Sequence, residues 1–395
     1  MKHRLRVADA IRACWDGYNR ARAVPPHAAK AVRRMLLCRT AALGGHMHRC
    51  DNCGSELPVY NSCEDRHCPT CQGHARRKWS DRRLREILPV QYFHVVFTLP
   101  HSLNPLVDAN RKLLFDEFFH VVGWVLQRFA HDPQWRLEGE LGYIALLHTW
   151  NQRLLGHFHI HCLVPGGVWR EQTQEWIDCR RNWLFGKDPL AKAFRNRFIK
   201  RLRSLRRRGK LSFAGCAAGF ADADDWERSL GELAGTKWVA YPKKVPARPE
   251  DALRYLARYT HKVAISDSRI KEVRHGHVVF AWRDRSDGNR EKLCRIPAEE
   301  FTRRFLYHIL PEGFHKIRYG GWMSAPKRKY SLRQIRRARG AERPEPSAET
   351  RTLPERILEE TGIDVALCPF CGKGHLVRTE KPIFPPDTEM LRKPP

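Results

Sequence analysis

The sequence has no apolar run close to the roughly 20 residues that a membrane-spanning helix requires, which argues against an integral membrane protein. The N-terminal residues Met1 to Arg6 lack the apolar region of a signal peptide, so we expect a cytoplasmic protein. A Walker motif is also absent, and nothing in the sequence predicts ATP hydrolysis. We therefore expect neither a membrane-embedded protein nor a reaction driven by ATP.

Acidic side chains are scarce. The chain has 43 Asp and Glu against 72 Lys and Arg, which gives a formal net charge of +29 over 395 residues. This excess is too large for a typical metabolic enzyme and predicts a polyanionic partner, most simply nucleic acid. We therefore expect a nucleoid-associated DNA-binding protein that has no association with membranes.

The 13 cysteines cluster as Cys-x2-Cys pairs, a pattern that favours metal binding over disulfides in a chain without a secretion signal. Two such pairs have zinc-ribbon spacing and predict one structural Zn²⁺ held by Cys50, Cys53, Cys68 and Cys71. Neighbouring side chains are either ligands of a second zinc or ordinary cysteines and histidines: Cys38, His46, Cys63 and His67. A further pair, Cys368 and Cys371, could take His375 as a ligand, pair with another chain or with leftover ribbon ligands, or hold no metal.

Hydrophobic periodicity predicts an α+β protein with three parts. Residues 1–88 form a helical entry and zinc-binding domain, in which the first helices either pack on the following domain or bind DNA. Residues 89–325 form the catalytic domain, and residues 326–395 form a basic arm, a linker and a cysteine knuckle. The predicted elements of the catalytic domain include strands at Gln91–Pro100, Leu141–Trp150 and Gly156–Val164, and helices at Asn110–Phe129 and Pro249–Thr260.

The strand predicted at Gly156–Val164 alternates, so that His157, His159 and His161 project from one face. Two imidazoles at positions i and i+2 of a strand can share one divalent ion, here Mg²⁺ or Mn²⁺, although a merely polar sheet face has the same pattern. The short connection to the preceding strand places His148 and Gln152 nearby. Because Mg²⁺ prefers oxygen ligands, we expect a third ligand with an oxygen donor. The candidates are Gln152, Glu250 and Asp251.

Tyr255 and Tyr259 are four residues apart in a predicted helix and therefore share one face of it. In isolation such a pair is more typical of a packed core. Beside a metal-binding histidine strand in a strongly basic protein, the pair predicts cleavage of a DNA backbone by a tyrosine nucleophile.

Two basic helices are predicted to contact phosphates because their cations are interleaved with aromatic and apolar residues. The predicted DNA-binding residues are Arg76, Arg77, Lys78, Arg201, Arg203, Arg206, Arg207 and Arg208. Trp79 accompanies the first group, and residues Lys327 to Arg339 form a further basic arm that is predicted to touch DNA.

Several motifs together resemble the IS91 group of insertion-sequence transposases, over residues from about 10 to 375. They are Cys50-x2-Cys53-Gly54, Arg66-His67-Cys68-Pro69-x-Cys71, Tyr92–Pro100, His148–Trp150, His159–Gly167 and Tyr255–Thr260. The resemblance implies the fold of HUH endonucleases, in which helices flank a central antiparallel sheet. It also implies that His159 and His161 bind the catalytic ion and that Tyr255 and Tyr259 are the nucleophiles.

The implied activity is a DNA transposase that nicks and rejoins single-stranded or hairpin element ends through a 5′-phosphotyrosine, and that also binds target DNA. A rolling-circle replication initiator or relaxase is an alternative with the same active site. A zinc-finger DNA-binding regulator is a second alternative, but such a regulator has no use for His159, His161 and Tyr255 on facing elements.

Overall fold

The computed structural model describes residues 5–180, 182–245, 251, 263–341 and 352–386. At its centre is a five-stranded sheet whose neighbouring strands all run antiparallel. In spatial order, its strands are β12 (Ile317–Gly320), β4 (Tyr143–Trp150), β5 (Gly156–Pro165), β3 (Tyr92–Thr98) and β8 (Val239–Lys244). The predicted α+β class, with helices flanking a central antiparallel sheet, is confirmed.

One face of this sheet is covered by helices. They are α5 (Asn104–Ala109), α6 (Arg111–His131), α7 (Lys187–Arg207) and α8 (Ala223–Gly235). The alternation of β5 turns Phe158, Ile160 and Cys162 towards this layer, where they are fully buried in the main core. Phe118 and Phe194 enter the same core from α6 and α7, with their rings 5.7 Å apart. The apolar residues of β5 therefore anchor the strand and leave its histidines on the opposite face.

A second core joins the N-terminal helices to the later part of the chain. Its elements are α1 (Val7–Arg12), α2 (Trp15–Ala21), α3 (Pro26–Leu37), the antiparallel strands β9 (Ile270–Arg274), β10 (His277–Asp284) and β11 (Arg290–Pro297), and α9 (Ala298–Tyr307). Val7 and Val32 are buried here together with Phe280 and Phe301. Of the two alternatives for the first helices, the structure therefore shows packing on the following domain.

The C-terminal segment returns to the N-terminal region. β13 (Leu376–Ile383) pairs with β1 (Gly45–Cys50), which pairs in turn with β2 (Glu56–Tyr60). The remaining elements are α4 (Gln72–Leu84), the hairpin of β6 (Gly167–Arg170) and β7 (Glu175–Asp178), α10 (Ala325–Ala338) and α11 (Leu353–Thr361). Within the described ranges, no helix is long and apolar enough to cross a membrane. The predicted domain boundaries remain predictions.

The basic arm predicted at Lys327–Arg339 is largely the docked helix α10. Leu332 and Ile335 are buried in a third core. Several of its cations are bound within the protein, since Lys327 contacts Glu140 and Arg336 donates to the carbonyl oxygen of Arg85. The segment is therefore a docked helix rather than an extended linker, because its apolar residues recur at helical spacing, and its contact with DNA stays a prediction.

Candidate active site and zinc clusters

The β4–β5 hairpin positions the candidate metal-binding histidines. The register sets His148 of β4 directly opposite His159 of β5, and Leu146 opposite His161. Side chains of directly opposed residues lie on the same face of a sheet, so His148 joins the two histidines of β5. Their ring centroids are 5.3 Å apart for His148 and His159, 4.6 Å for His148 and His161, and 4.7 Å for His159 and His161.

The ligand atoms of His148, His159 and His161 lie within 4.8 Å of one another, a spacing at which one ion can be shared. Sequence reasoning placed His148 near this strand but did not name it as a ligand, because an oxygen donor was expected. The backbone carbonyl oxygen of Gln152 accepts a hydrogen bond from Arg269, and a role for its side chain as the oxygen ligand stays a prediction. Glu250 lies outside the described residues, and Asp251 is not in the cluster.

Hydrogen bonds orient the imidazoles of His159 and His161, and burial keeps that of His159 neutral. Burial, with a smaller effect from neighbouring His157, lowers the pKa of His159 to about 3. The Nδ1–H of His159 donates to the carbonyl oxygen of His157 over 3.0 Å, which leaves Nε2 as the lone-pair donor. His161 forms a 2.8 Å hydrogen bond through Nδ1 with Nε2 of His94, whose own pKa burial lowers to about 4.

His157, the third histidine of the alternating strand, does not join the cluster. Its Nδ1 lies 2.8 Å from Nε2 of His101. Although all three histidines project from one face, only two of them reach His148.

Tyr255 and Tyr259 lie outside the described residues. On the N-terminal side of their segment, Val245 is buried in one core with Leu163, which shares the histidine face of β5. On the C-terminal side, Val263 and Ala264 line a small cavity together with Trp150. Trp150 stacks on His148 with the two ring centroids 4.6 Å apart.

The structure groups eight cysteines into two clusters of four. Cys38, Cys63, Cys68 and Cys71 form a buried cluster between α3 and the start of α4, with the sulfurs of Cys63 and Cys71 3.8 Å apart. The second cluster contains Cys50, Cys53, Cys368 and Cys371. In each cluster the sulfurs all lie within 4.8 Å of one another, as the four thiolates of a structural zinc site do.

The predicted grouping of Cys50 and Cys53 with Cys68 and Cys71 was therefore wrong. Cys50 is the last residue of β1, whereas Cys63 follows the end of β2. Tyr60, the last residue of β2, pairs with Gly45, the first residue of β1, so Cys50 and Cys63 lie near opposite ends of β1. The strand thus separates the two Cys-x2-Cys pairs by its own length, roughly 17 Å at about 3.3 Å per residue.

The histidines proposed as zinc ligands, His46 and His67 for a second zinc and His375 beside Cys368 and Cys371, form other contacts. His67 contacts Asp65 through Nδ1, at 3.1 Å, and accepts the backbone N–H of Leu310 at Nε2. His46 contacts the guanidinium of Arg378, and His375 contacts Asp364 over 2.8 Å. None of these three joins a cysteine cluster in the described part of the chain.

The predicted DNA-binding cations divide into exposed and internally bound groups. Arg201 donates twice to Glu117, at 2.7 and 2.6 Å, and Arg203 binds Glu227. Arg206 donates to the carbonyl oxygen of Phe220. In contrast, Arg207 and Arg208 at the end of α7, and Arg76 and Lys78 on α4, are exposed, whereas Arg77 is half-buried. Sequence alone did not separate these groups, because the acidic partners come from distant elements.

Trp79 is also turned inward. Its indole N–H donates to the hydroxyl oxygen of Tyr319 over 3.0 Å, and its ring packs against the third core. The prediction that Trp79 accompanies the basic side chains at a DNA-contacting surface is not supported by this position.

Comparisons with known proteins agree on one family. Residues 10–99 match a family described as "Transposase zinc-binding domain", and residues 142–330 match one described as "Putative transposase". The chain is 40% identical over 381 residues to "Putative transposase y4qJ" of Sinorhizobium fredii, covering 95% of this chain and 94% of that protein. It is 27% identical over 312 residues to the transposase for insertion sequence element IS801 of Pseudomonas savastanoi pv. phaseolicola, covering 75% and 70%. No solved structure gives a significant match. The chain belongs to the IS91 family of transposases, which act on DNA, and carries the zinc-binding domain of that family at its N-terminal end.

Proposed function

We propose that this transposase cuts and rejoins single-stranded ends of its element through a 5′-phosphotyrosine, with His148, His159 and His161 holding the catalytic ion. The convergence of three imidazoles on one sheet face supports the proposal most strongly. A sheet face that is merely polar does not require buried, neutral histidines oriented by hydrogen bonds to His157 and His94.

The donor set fits a divalent ion. Three neutral imidazoles suit first-row ions such as Mn²⁺ better than Mg²⁺, which prefers oxygen. When bound, such an ion would polarise the scissile phosphate and offset its developing negative charge. The protein's part is to keep the ring of His159 neutral by burial and to fix its tautomer through the carbonyl oxygen of His157.

We assign the nucleophile to Tyr255 or Tyr259. The described residues on both sides of their segment support this, since Val245 shares a buried core with Leu163 and Ala264 lines one cavity with Trp150. In the cleavage step, the phenol loses its proton as its oxygen bonds to phosphorus. The bond from phosphorus to the 3′ oxygen breaks, and that oxygen leaves with a proton. The phosphodiester energy remains in the adduct, so that a 3′ hydroxyl can rejoin the strand without ATP.

Two tyrosines allow two strands to be handled in succession. On a helix, residues four apart have Cβ atoms roughly 6 Å apart, so both phenols would reach one active site. One tyrosine would hold the first cut end while the other opens the second phosphate. The freed 3′ hydroxyl would then resolve the first adduct.

A cleft beside the histidine cluster suits a single strand. It has a volume of about 510 Å³, and its lining includes Arg76, Trp150, Trp282 and Arg283. Arg76 and Arg283 are exposed cations, while the two indoles offer faces on which bases can stack. Because Trp150 stacks on His148, a strand in this cleft would pass next to the candidate ion site.

The buried cluster of Cys38, Cys63, Cys68 and Cys71 supports a structural zinc in the N-terminal domain. It fastens α3 to the start of α4, and its four sulfurs are almost fully buried. We expect substitution of Cys63 by Ser to destabilise this region, because it removes one of the four ligands of the metal that joins α3 to the start of α4.

The test is an adduct assay with single-stranded element ends in Mn²⁺. A label on the 3′ side of the cut should become covalently attached to wild-type protein and run with it under denaturing conditions. His148→Ala and His159→Ala should form no adduct but should bind the strand with nearly unchanged affinity, because cations distributed over the surface supply most of that affinity.

His157→Ala is the matched control, since this histidine lies on the same strand and face but pairs with His101. It should retain adduct formation. If His148→Ala forms as much adduct as the wild-type protein, His148 is not a ligand of the catalytic ion. Strand binding without any adduct in the wild-type protein would favour a regulator over a transposase of this mechanism.

A further inference from the structure

The second cysteine cluster joins residues from opposite ends of the sequence. Cys368 and Cys371 lie outside both matched family regions, which cover residues 10–99 and 142–330. Their sulfurs nevertheless meet those of Cys50 and Cys53. We propose that these four cysteines form a second zinc site, a clasp that fastens the C-terminal segment to the N-terminal domain.

The spacing of the sulfurs fits tetrahedral zinc. A Zn–S bond of about 2.3 Å gives a tetrahedron whose edges, the sulfur–sulfur distances, are about 3.8 Å. The sulfurs of Cys50 and Cys371 are 3.7 Å apart, and those of Cys53 and Cys368 are 3.8 Å apart. A disulfide would bring two sulfurs to about 2.05 Å and leave the others unpaired. The arrangement is therefore that of a shared ion.

In both halves of the clasp, a backbone N–H donates to a cysteine sulfur. The N–H of Cys53 donates to the sulfur of Cys50 over 3.5 Å, and the N–H of Gly374 donates to that of Cys371 over 3.4 Å. Such bonds stabilise thiolates, the form that zinc requires. Two turns of this kind supply two ligands each.

The backbone brings the two turns together closely. Asp51 donates its N–H to the carbonyl oxygen of His375 over 3.1 Å, and its carboxylate accepts the N–H of His375 over 2.8 Å. A Cβ placed on Gly374 would lie 2.7 Å from the sulfur of Cys50, closer than a carbon and a sulfur can approach. Glycine is therefore required where the C-terminal turn passes over the N-terminal one.

Apolar packing holds this segment only weakly. Of its larger apolar residues, Phe370 is 60% exposed, Val377 is 56% exposed and Ile363 is 62% exposed. β13 is therefore attached to β1 mainly by hydrogen bonds, and buried apolar surface gives this edge strand little further support. Metal binding at Cys368 and Cys371 would supply that support.

The two clusters differ in access to solvent. In the first cluster, Cys38, Cys63, Cys68 and Cys71 are all buried. In the clasp, Cys53 is exposed and Cys371 is half-buried. A chelator should therefore reach the clasp first. Loss of its zinc would free the C-terminal segment while the buried zinc stays in place.

The test is the zinc content of the full-length protein, purified under reducing conditions. The wild type should hold about two zinc ions per chain, and Cys368→Ser/Cys371→Ser should hold about one. Cys216→Ser removes an exposed cysteine outside both clusters and should leave the content unchanged. Equal zinc content in the double variant and the wild type would overturn the proposal.

Hydrogen exchange supplies a second measurement that needs no substitution. When a chelator has removed one zinc from the wild-type protein, amides of β13 should exchange at least tenfold faster, while those at the start of α4 stay protected. If the first zinc to leave instead deprotects α4, or if β13 keeps its protection after zinc loss, the clasp does not exist as described.

Discussion

The basic helix α7 offers a direct test of which cations bind DNA and which stabilise the fold. Arg201 forms a bidentate ion pair with Glu117 of α6, and the two side chains are only 22% and 13% exposed. Removing one partner leaves the other charge poorly solvated, so Arg201→Ala should lower the free energy of unfolding by about 2 kcal/mol. Its affinity for single-stranded DNA should hardly change.

Arg207 is the matched position on the same helix, since its side chain is exposed. Arg207→Ala should leave the free energy of unfolding within about 0.5 kcal/mol of the wild-type value. If Arg207 binds a phosphate, the variant should also reduce the slope of log affinity against log salt by about 0.7, the contribution of one phosphate contact in a single strand.

Urea unfolding and fluorescence anisotropy over a salt series measure the two effects. The reasoning is refuted if Arg201→Ala reduces the salt slope by about 0.7, because Arg201 would then be bound to phosphate rather than to Glu117. It is also refuted if Arg201→Ala is as stable as the wild type.

Three further predictions concern the core, the ion and acid stability. Phe158→Ala, which empties a fully buried site beside Phe115, should cost about 3–5 kcal/mol of unfolding free energy in urea titrations. Mn²⁺ should support adduct formation at lower concentration than Mg²⁺, and the reverse order would point to oxygen ligands instead. Burial lowers the pKa of His308 to about 3, so its stabilising contribution is complete above about pH 6.5 and is lost as the pH falls towards 3. Acid unfolding of His308→Gln should accordingly show a weaker pH dependence over that range than the wild type.

Local patterns in the sequence predicted the centre of the molecule well. The alternation of Phe158, Ile160 and Cys162 with histidines is a property of the strand itself, and the predicted strand at Gly156–Val164 is observed as Gly156–Pro165. The short connection before it implied a hairpin, and the observed register places His148 opposite His159. His148 was not named as a candidate ligand because an oxygen donor was expected at the position where the hairpin places an imidazole.

Partnerships over long sequence separations could not be predicted. Cys50 and Cys53 are grouped with cysteines more than 300 residues away, and spacing along the chain says nothing about such a pairing. The same limit applies to the basic helix α7. Arg201 and Arg203 were predicted to bind phosphate because their acidic partners, Glu117 and Glu227, lie on other helices. The sequence gives the number of cations on a helix, whereas tertiary packing decides which of them remain exposed to bind phosphate.

The measurement that tests the central claim most directly is mass spectrometry of the covalent adduct. Wild-type protein would be incubated with a single-stranded element end and Mn²⁺, digested with protease and nuclease, and sequenced by fragmentation. We predict that the remaining nucleotide is attached through its 5′ phosphate to Tyr255 or Tyr259, and that no such peptide forms in His159→Ala. Attachment to any other residue, or an adduct of unchanged yield in His159→Ala, would contradict the account.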